Sequence, residues 1–123
     1  MARDDINNLE IYQLAMSCGE ITYSLILTWN QFNKNTIGYQ LVRACDSIAA
    51  NISEGYGRNH FKEQRQLCYI ARGSLYETKT WISKAIERIP EYQSEMSELM
   101  LQLEQLARKL NAYIGYINKN IKS

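Results

Sequence analysis

Histidine, cysteine and proline are scarce in this chain, and each scarcity excludes a class of site or fold. Among 123 residues there is one His, His60, and one Pro. A single His excludes metal centres built from several histidines and leaves few groups for acid–base catalysis. The three cysteines, Cys18, Cys45 and Cys68, are too widely spaced for a zinc knuckle, and their odd number argues against a disulfide framework. We therefore expect neither a metal nor a cofactor.

Net charge and long apolar runs are also lacking. Because 14 Lys and Arg balance 13 Asp and Glu, no general affinity for polyanions is indicated. The longest apolar run, residues 21–29, is about half of the ~20 residues that a transmembrane helix needs. The acidic N-terminal segment differs from a secretory signal, which has a basic end and an apolar run. We expect one domain over residues 1–123, located in the cytoplasm and without membrane association.

What is present is helical periodicity. Apolar residues recur at spacings of three and four in four segments, which predict helices at about residues 9–29, 37–56, 60–89 and 91–120. The polar residues 30–36 predict a connector between the first two helices. Because short connectors force sequential helices to run antiparallel, we predict an all-α fold, an antiparallel up-down-up-down four-helix bundle.

Short polar residues and glycines predict where these helices begin and end. Asn7 or Asn8 is expected to cap the first helix, and Asn59 the third, because a short polar side chain accepts a hydrogen bond from an unpaired backbone N–H. Gly55 and Gly57 are expected to end the second helix in a left-handed turn.

A stripe of polar residues borders the apolar face of the second helix. One interpretation is a hydrogen-bonded seam, within one protomer or between protomers, with Glu77 as the ion-pair partner of Arg43. The other interpretation is an ordinary boundary of surface residues. The stripe consists of Gln40, Arg43, Ser47, Asn51 and Glu54.

A second stripe interleaves basic and aromatic residues along the third helix. Such side chains can neutralise phosphates while the rings stack on unpaired bases, which is typical of RNA binding. The alternative is a solvated helix face with no ligand. The stripe consists of Arg58, Lys62, Arg65, Tyr69, Arg72, Tyr76 and Lys79.

No catalytic arrangement is indicated, and we expect the protein not to be an enzyme. The three cysteines occupy apolar-periodic positions, where a buried and unreactive thiol is expected. The Gly-Tyr-Gly at residues 55–57 does not follow a strand, as a phosphate-binding loop would.

The central third of the chain carries a motif. Residues 40–44 read Q-L-x-R-A, residues 47–58 read S-I-x-x-N-I-x-E-G-x-G-R, and residues 71–77 read A-x-G-S-x-x-E. This pattern resembles the four-helix-bundle family named for proteins encoded in 23S rRNA intervening sequences. The resemblance implies a structural or interface role, not a catalytic one, for Gln40, Arg43, Ser47, Asn51, Glu54, Gly55, Gly57, Gly73, Ser74 and Glu77.

The resemblance also implies a homo-oligomer, for which a pentameric ring is the precedent. A relative of the family is the accessory protein of diversity-generating retroelements, which partners a reverse transcriptase and binds nucleic acid. We therefore expect a non-enzymatic oligomer that serves as a scaffold for RNA or for a nucleic-acid-processing protein. The alternative is a protein–protein interaction adaptor without a nucleic-acid role.

Overall fold

The computed structural model describes residues 5–121, and within this range the chain forms four long helices and no strand. Each helix packs on the next along the chain, and the last packs on the first. The all-α four-helix bundle predicted from the sequence is confirmed. The helices are α1 (Glu10–Ile26), α2 (Tyr39–Tyr56), α3 (Phe61–Arg88) and α4 (Gln93–Asn120).

The core consists of one apolar stripe from each helix. The fully buried side chains include Leu41 and Ile48 of α2, Leu75 of α3, and Leu103 and Leu106 of α4. At about 1.5–3 kcal/mol for each fully buried aliphatic side chain, these stripes are the main force that holds the helices together. None of the helices within residues 5–121 is both long and apolar enough to cross a bilayer.

The buried face of α1 has small residues at its centre, between the buried Ile11 and Ile26. Ala15 and Thr22 are buried, whereas Leu14 and Leu25 are only half-buried at the rim. The hydroxyl of Thr22 donates to the carbonyl oxygen of Cys18 at 2.7 Å, which satisfies this polar group in the core. Small residues on α1 therefore bring it close to the bundle.

The predicted connector at residues 30–36 is wrong, because most of it is helical. A helical turn at Gln31–Asn33 and a π-helical stretch at Lys34–Gly38 lead directly into α2. The side chain of Asn30 accepts a hydrogen bond from the backbone N–H of Asn33 at 2.9 Å, so a polar residue that competes with helix formation here begins a helix.

The predicted caps and the left-handed turn are also wrong. Asp5, not Asn7 or Asn8, accepts a backbone N–H at the 3₁₀ turn Ile6–Asn8, which precedes α1. His60, not Asn59, occupies the N-cap position of α3, and it makes no side-chain capping bond. Gly57 ends α2 with a right-handed backbone, at φ −77° and ψ −6°.

Gly55 has a packing role instead. A Cβ atom at this position would lie 3.2 Å from Cβ of Leu67 and 3.4 Å from the carbonyl oxygen of Gln64. Glycine therefore permits the end of α2 to approach the first turns of α3 closely.

Candidate nucleic-acid interface

The candidate interface lies along the junction of α3 and α4, which run antiparallel. Three side-chain pairs cross this junction at intervals of seven residues, or about 10.5 Å, on each helix. Nη1 of Arg65 donates to Oδ1 of Asn118 at 2.9 Å, and Nη1 of Arg72 donates to Oδ1 of Asn111 at 3.0 Å. Nζ of Lys79 lies 3.9 Å from a carboxylate oxygen of Glu104. The junction therefore presents a row of cations at a fixed spacing.

Tyr69 holds the two arginines of this row. The Cζ atom of Arg65 lies 5.9 Å from the centroid of the Tyr69 ring, and that of Arg72 lies 5.0 Å from it. Both distances permit a cation–π interaction. Tyr69 therefore contacts both guanidinium groups, and its predicted role in base stacking stays a prediction.

Tyr76 is the aromatic member of the stripe that is exposed. Its side chain is 57% exposed, and Nζ of Lys79 lies 5.7 Å from the centroid of its ring. Tyr116 of α4 is similarly exposed and packs edge-to-face on Phe61, with the ring centroids 6.5 Å apart. The α3–α4 face thus offers one exposed ring, that of Tyr76, beside its cations, whereas Tyr116 lies about 160° around α4 from Asn118.

The cations of the stripe differ in how their charge is balanced. Arg58 lies 2.8 Å from Glu54 and 3.7 Å from Glu63, so its charge is neutralised locally. Lys79 has Glu104 as its partner. Arg65 and Arg72 instead bind neutral amides, and within residues 5–121 neither forms a salt bridge. The uncompensated positive charge is therefore concentrated at the centre of the stripe.

Lys62 extends this charge toward one end of the bundle. It lines a shallow depression with His60, Phe61 and Glu63 at the start of α3, and with Asn120 and Ile121 at the end of α4. The sequence thus placed Lys62 to Lys79 on one helix face, as the structure has them, whereas Arg58 precedes α3 and is bound to α2.

The partners on α4 were not identified from the sequence. Asn118, Asn111 and Glu104 recur at intervals of seven residues, which is the signal that could have found them. Their pairing with α3 depends on the register of the two helices, which the sequence pattern of each helix does not specify.

The polar stripe of α2 forms a hydrogen-bonded seam with α3 inside one protomer. Arg43 bonds both to Oε1 of Gln40, at 3.1 Å from Nη2, and to the carboxylate of Glu77, so the expected ion pair is present. The same carboxylate accepts a hydrogen bond from Nε1 of Trp81 at 3.2 Å. Because Arg43 and Glu77 remain 48% and 39% exposed, the pair orients the helices more than it stabilises them.

The middle of this seam is made of small polar groups. The hydroxyl oxygens of Ser47 and Ser74 lie 2.9 Å apart, and Nδ2 of Asn51 donates to the carbonyl oxygen of Ser47 at 2.8 Å. Gly73, next to Ser74, is exposed, and a Cβ atom there would have no neighbour within 4 Å. The motif residues thus connect α2 to α3, with an open surface at Gly73.

The cysteines are not positioned for nucleophilic chemistry. Burial raises the pKa of Cys18 to about 11, that of Cys45 to about 12, and that of Cys68 to about 11. His60 is exposed at the start of α3, away from the core that contains these thiols. Among the residues that the structure describes, no three His, Cys, Asp or Glu side chains are grouped so that they could hold a metal ion.

The fold and the motif define a class of protein: an antiparallel four-helix bundle whose second and third helices are joined by a polar seam. The model of the family described as "23S rRNA-intervening sequence protein" matches residues 7–112. The chain therefore belongs to the family of 23S rRNA-intervening sequence proteins, as the motif indicated.

The fold is shared with a solved structure. A crystal structure of a protein of unknown function from the S23 ribosomal protein family of Bacteroides thetaiotaomicron VPI-5482 matches with a TM-score of 0.76 and 17% sequence identity. The match covers 86% of this chain and 96% of that one, so the likeness extends over most of both chains. The chain has no match among curated proteins.

Proposed function

We propose that this protein is a non-enzymatic RNA-binding scaffold that acts in the cytoplasm. Its α3–α4 face binds the phosphate backbone of RNA through Lys62, Arg65 and Arg72. Tyr76 provides an exposed ring on which an unpaired base stacks. The family resemblance adds self-association, for which five copies are the precedent.

One observation carries this proposal: Arg65 and Arg72 are held in place by uncharged partners. Arg43 and Arg58 are instead paired with carboxylates, which balance their charge. The Asn118 and Asn111 amides instead fix the two guanidinium groups without neutralising them. Such pre-oriented charge loses little conformational entropy when a phosphate binds.

The expected affinity of one protomer is modest. Three phosphate contacts on single-stranded RNA predict a slope of about −2 for the logarithm of the binding constant against the logarithm of the salt concentration. Self-association places several such faces on one particle, and a long RNA that contacts two of them binds far more tightly than to one.

The test is a salt titration of binding to a fluorescein-labelled single-stranded RNA of roughly 20 nucleotides, followed by fluorescence anisotropy. The double variant Arg65→Gln and Arg72→Gln is expected to weaken binding about tenfold or more at low salt, and to reduce the slope by about 1.4. Retained binding in this variant would contradict the proposal.

The matched control is the double variant Lys84→Gln and Arg88→Gln. It removes the same net charge from the same helix, but both residues lie on a different side of α3, near the end that meets Pro90. Equal weakening by the two double variants would mean that overall charge, and not the α3–α4 face, determines RNA binding.

The second candidate function is that of a protein–protein interaction adaptor. It is favoured by the exposed apolar side chains of Tyr23, Leu27 and Tyr39, which lie on the α1–α2 side of the bundle. The salt titration separates the two candidates, because an adaptor without a nucleic-acid role would not bind the RNA at any salt concentration.

A further inference from the structure

A groove runs along the outer side of the α1–α2 junction. One part of it, with a volume of about 360 Å³, has Gly19, Glu20 and Asp46 among its lining residues. The next part, with a volume of about 390 Å³, is apolar and includes Tyr23 and Leu27. The groove is separate from the α3–α4 face, which lies on the opposite side of the bundle.

The apolar part of the groove is unusually exposed. Tyr23, Leu27 and Tyr39 are 51%, 54% and 61% exposed, and all three line the same depression. Grouped in one depression, these three side chains would lose apolar surface to water-free contact if a partner covered them.

Charges flank this apolar patch in a particular order. Asp46 lies level with Gly19, because a Cβ atom on Gly19 would be 2.8 Å from Oδ1 of Asp46. Gly38 likewise lies level with Ile26, and Lys34 lies one helical turn before Gly38, farther from Asp46 along the groove. At about 1.5 Å per residue, Asp46 and Lys34 are therefore roughly 18 Å apart along the groove, with the apolar patch between them.

The acidic end lacks a cation. Partial burial, and then the negative charge of Glu20, raise the pKa of Asp46. Among residues 5–121, neither Glu20 nor Asp46 forms a salt bridge. An approaching cation would relieve the repulsion between these carboxylates.

We propose that this groove is a contact between two copies of the chain, related by a two-fold axis through the patch of Tyr23, Leu27 and Tyr39. An isologous contact requires a self-complementary surface, and the order acidic, apolar, basic meets this requirement. Antiparallel docking covers the two apolar patches with each other. It also places Lys34 of each copy beside Glu20 and Asp46 of the other copy.

This contact rests on the self-association proposed above and adds a two-fold surface to it, distinct from the head-to-tail surfaces of a five-copy ring. Because the contact is two-fold, it predicts an even number of chains. If the ring of five copies also forms, the contact joins two rings. In either assembly the α3–α4 faces point away from the contact and remain open to RNA.

The test is sedimentation velocity combined with light scattering over a range of protein concentrations. The variant Leu27→Glu is expected to raise the dissociation constant of the two-fold contact by roughly tenfold or more. Because Leu27 is exposed, the helical circular dichroism signal should be unchanged. If the Leu27→Glu variant assembles to the same mass as the unsubstituted protein at every concentration, the proposal is overturned.

A charge exchange provides the sharper result. Lys34→Glu and Glu20→Lys are each expected to weaken the contact, and the double variant is expected to recover most of the lost affinity, since the charges again oppose each other across the two-fold axis. Glu98→Lys, at an exposed position on α4, is the control and should have no effect.

Two outcomes would overturn the two-fold contact: single variants without effect on the mass, or a double variant that is weaker than either single one. An assembly of five copies whose mass is unchanged in all of these variants would also overturn the two-fold contact, and the groove would then be a candidate binding site for a different protein. RNA binding is measured on the same samples, so a failure of this contact is distinguished from a failure of the proposed RNA-binding function.

Discussion

Alanine substitutions at three glycines test the packing of the bundle, because the same change is expected to have opposite effects. Gly73 lies within α3 and Gly115 within α4, and a Cβ atom at either position has no neighbour within 4 Å. Gly38 lies in the π-helical stretch before α2. A Cβ atom there would be 2.9 Å from Cγ2 of Ile26 and 3.0 Å from the carbonyl oxygen of Asn33.

The magnitudes follow from two opposing contributions to the free energy of unfolding. Replacing Gly by Ala in a helix interior adds about 1 kcal/mol, because the unfolded chain loses conformational freedom. At Gly73 and Gly115 nothing opposes this gain. At Gly38, overpacking against Ile26 and a backbone carbonyl costs about 2 kcal/mol, so a net loss of about 1 kcal/mol is expected.

The assay is thermal unfolding followed by circular dichroism at a fixed protein concentration, since self-association makes apparent stability depend on concentration. Gly73→Ala and Gly115→Ala are expected to raise the melting temperature by about 4 °C, and Gly38→Ala to lower it by a similar amount. If the Gly38→Ala variant is as stable as the unsubstituted protein, the close approach of α1 and the start of α2 at this point is refuted. A destabilised Gly73→Ala would show that its surface is covered.

Two further predictions concern the core thiols and the α2–α3 seam. Because burial raises the pKa of Cys18, Cys45 and Cys68 from a usual value of 9.0 to about 11, 12 and 11, these thiols should resist iodoacetamide at pH 8 until urea unfolds the protein. The neutral thiols favour the folded state fully below about pH 9, and this contribution is lost as the pH rises toward 11–12. The melting temperature should therefore fall between about pH 9 and about pH 12. Rapid labelling of the folded protein, or a melting temperature that does not fall in this range, would contradict the burial of the thiols. For the seam, a double-mutant cycle with Arg43→Ala and Glu77→Ala should give a coupling of about 0.2–1 kcal/mol, because both side chains are partly exposed. A coupling of zero would mean that the pair does not orient α2 and α3.

The motif positions illustrate what a sequence pattern conveys about a site. Their periodicity placed Arg43, Ser47 and Asn51 on one edge of the second helix, and the charge of Glu77 suggested it as a partner. Whether the seam lay within a protomer or between protomers depended on how α2 and α3 pack. The Ser47–Ser74 contact joins two helices of the same chain, so this part of the seam lies within the protomer.

Local signals at the helix ends were misleading for a physical reason. Asn30 competes for backbone hydrogen bonds in an isolated peptide, but here the burial of Trp29 and Ile37 favours a helix that starts directly after it. Gly55 was expected to permit a left-handed turn, whereas its position depends on the close approach of Leu67. Packing energy therefore outweighed local propensity at both places.

The sequence alone determined that this protein is a four-helix bundle, because apolar residues at spacings of three and four must be buried together whatever the details of packing. It also determined which charges share a face of the third helix, since this depends only on helical geometry. Only the tertiary structure decided which of those charges remain uncompensated. That property depends on the register of α3 against α4, which places amides opposite Arg65 and Arg72 and a carboxylate opposite Lys79.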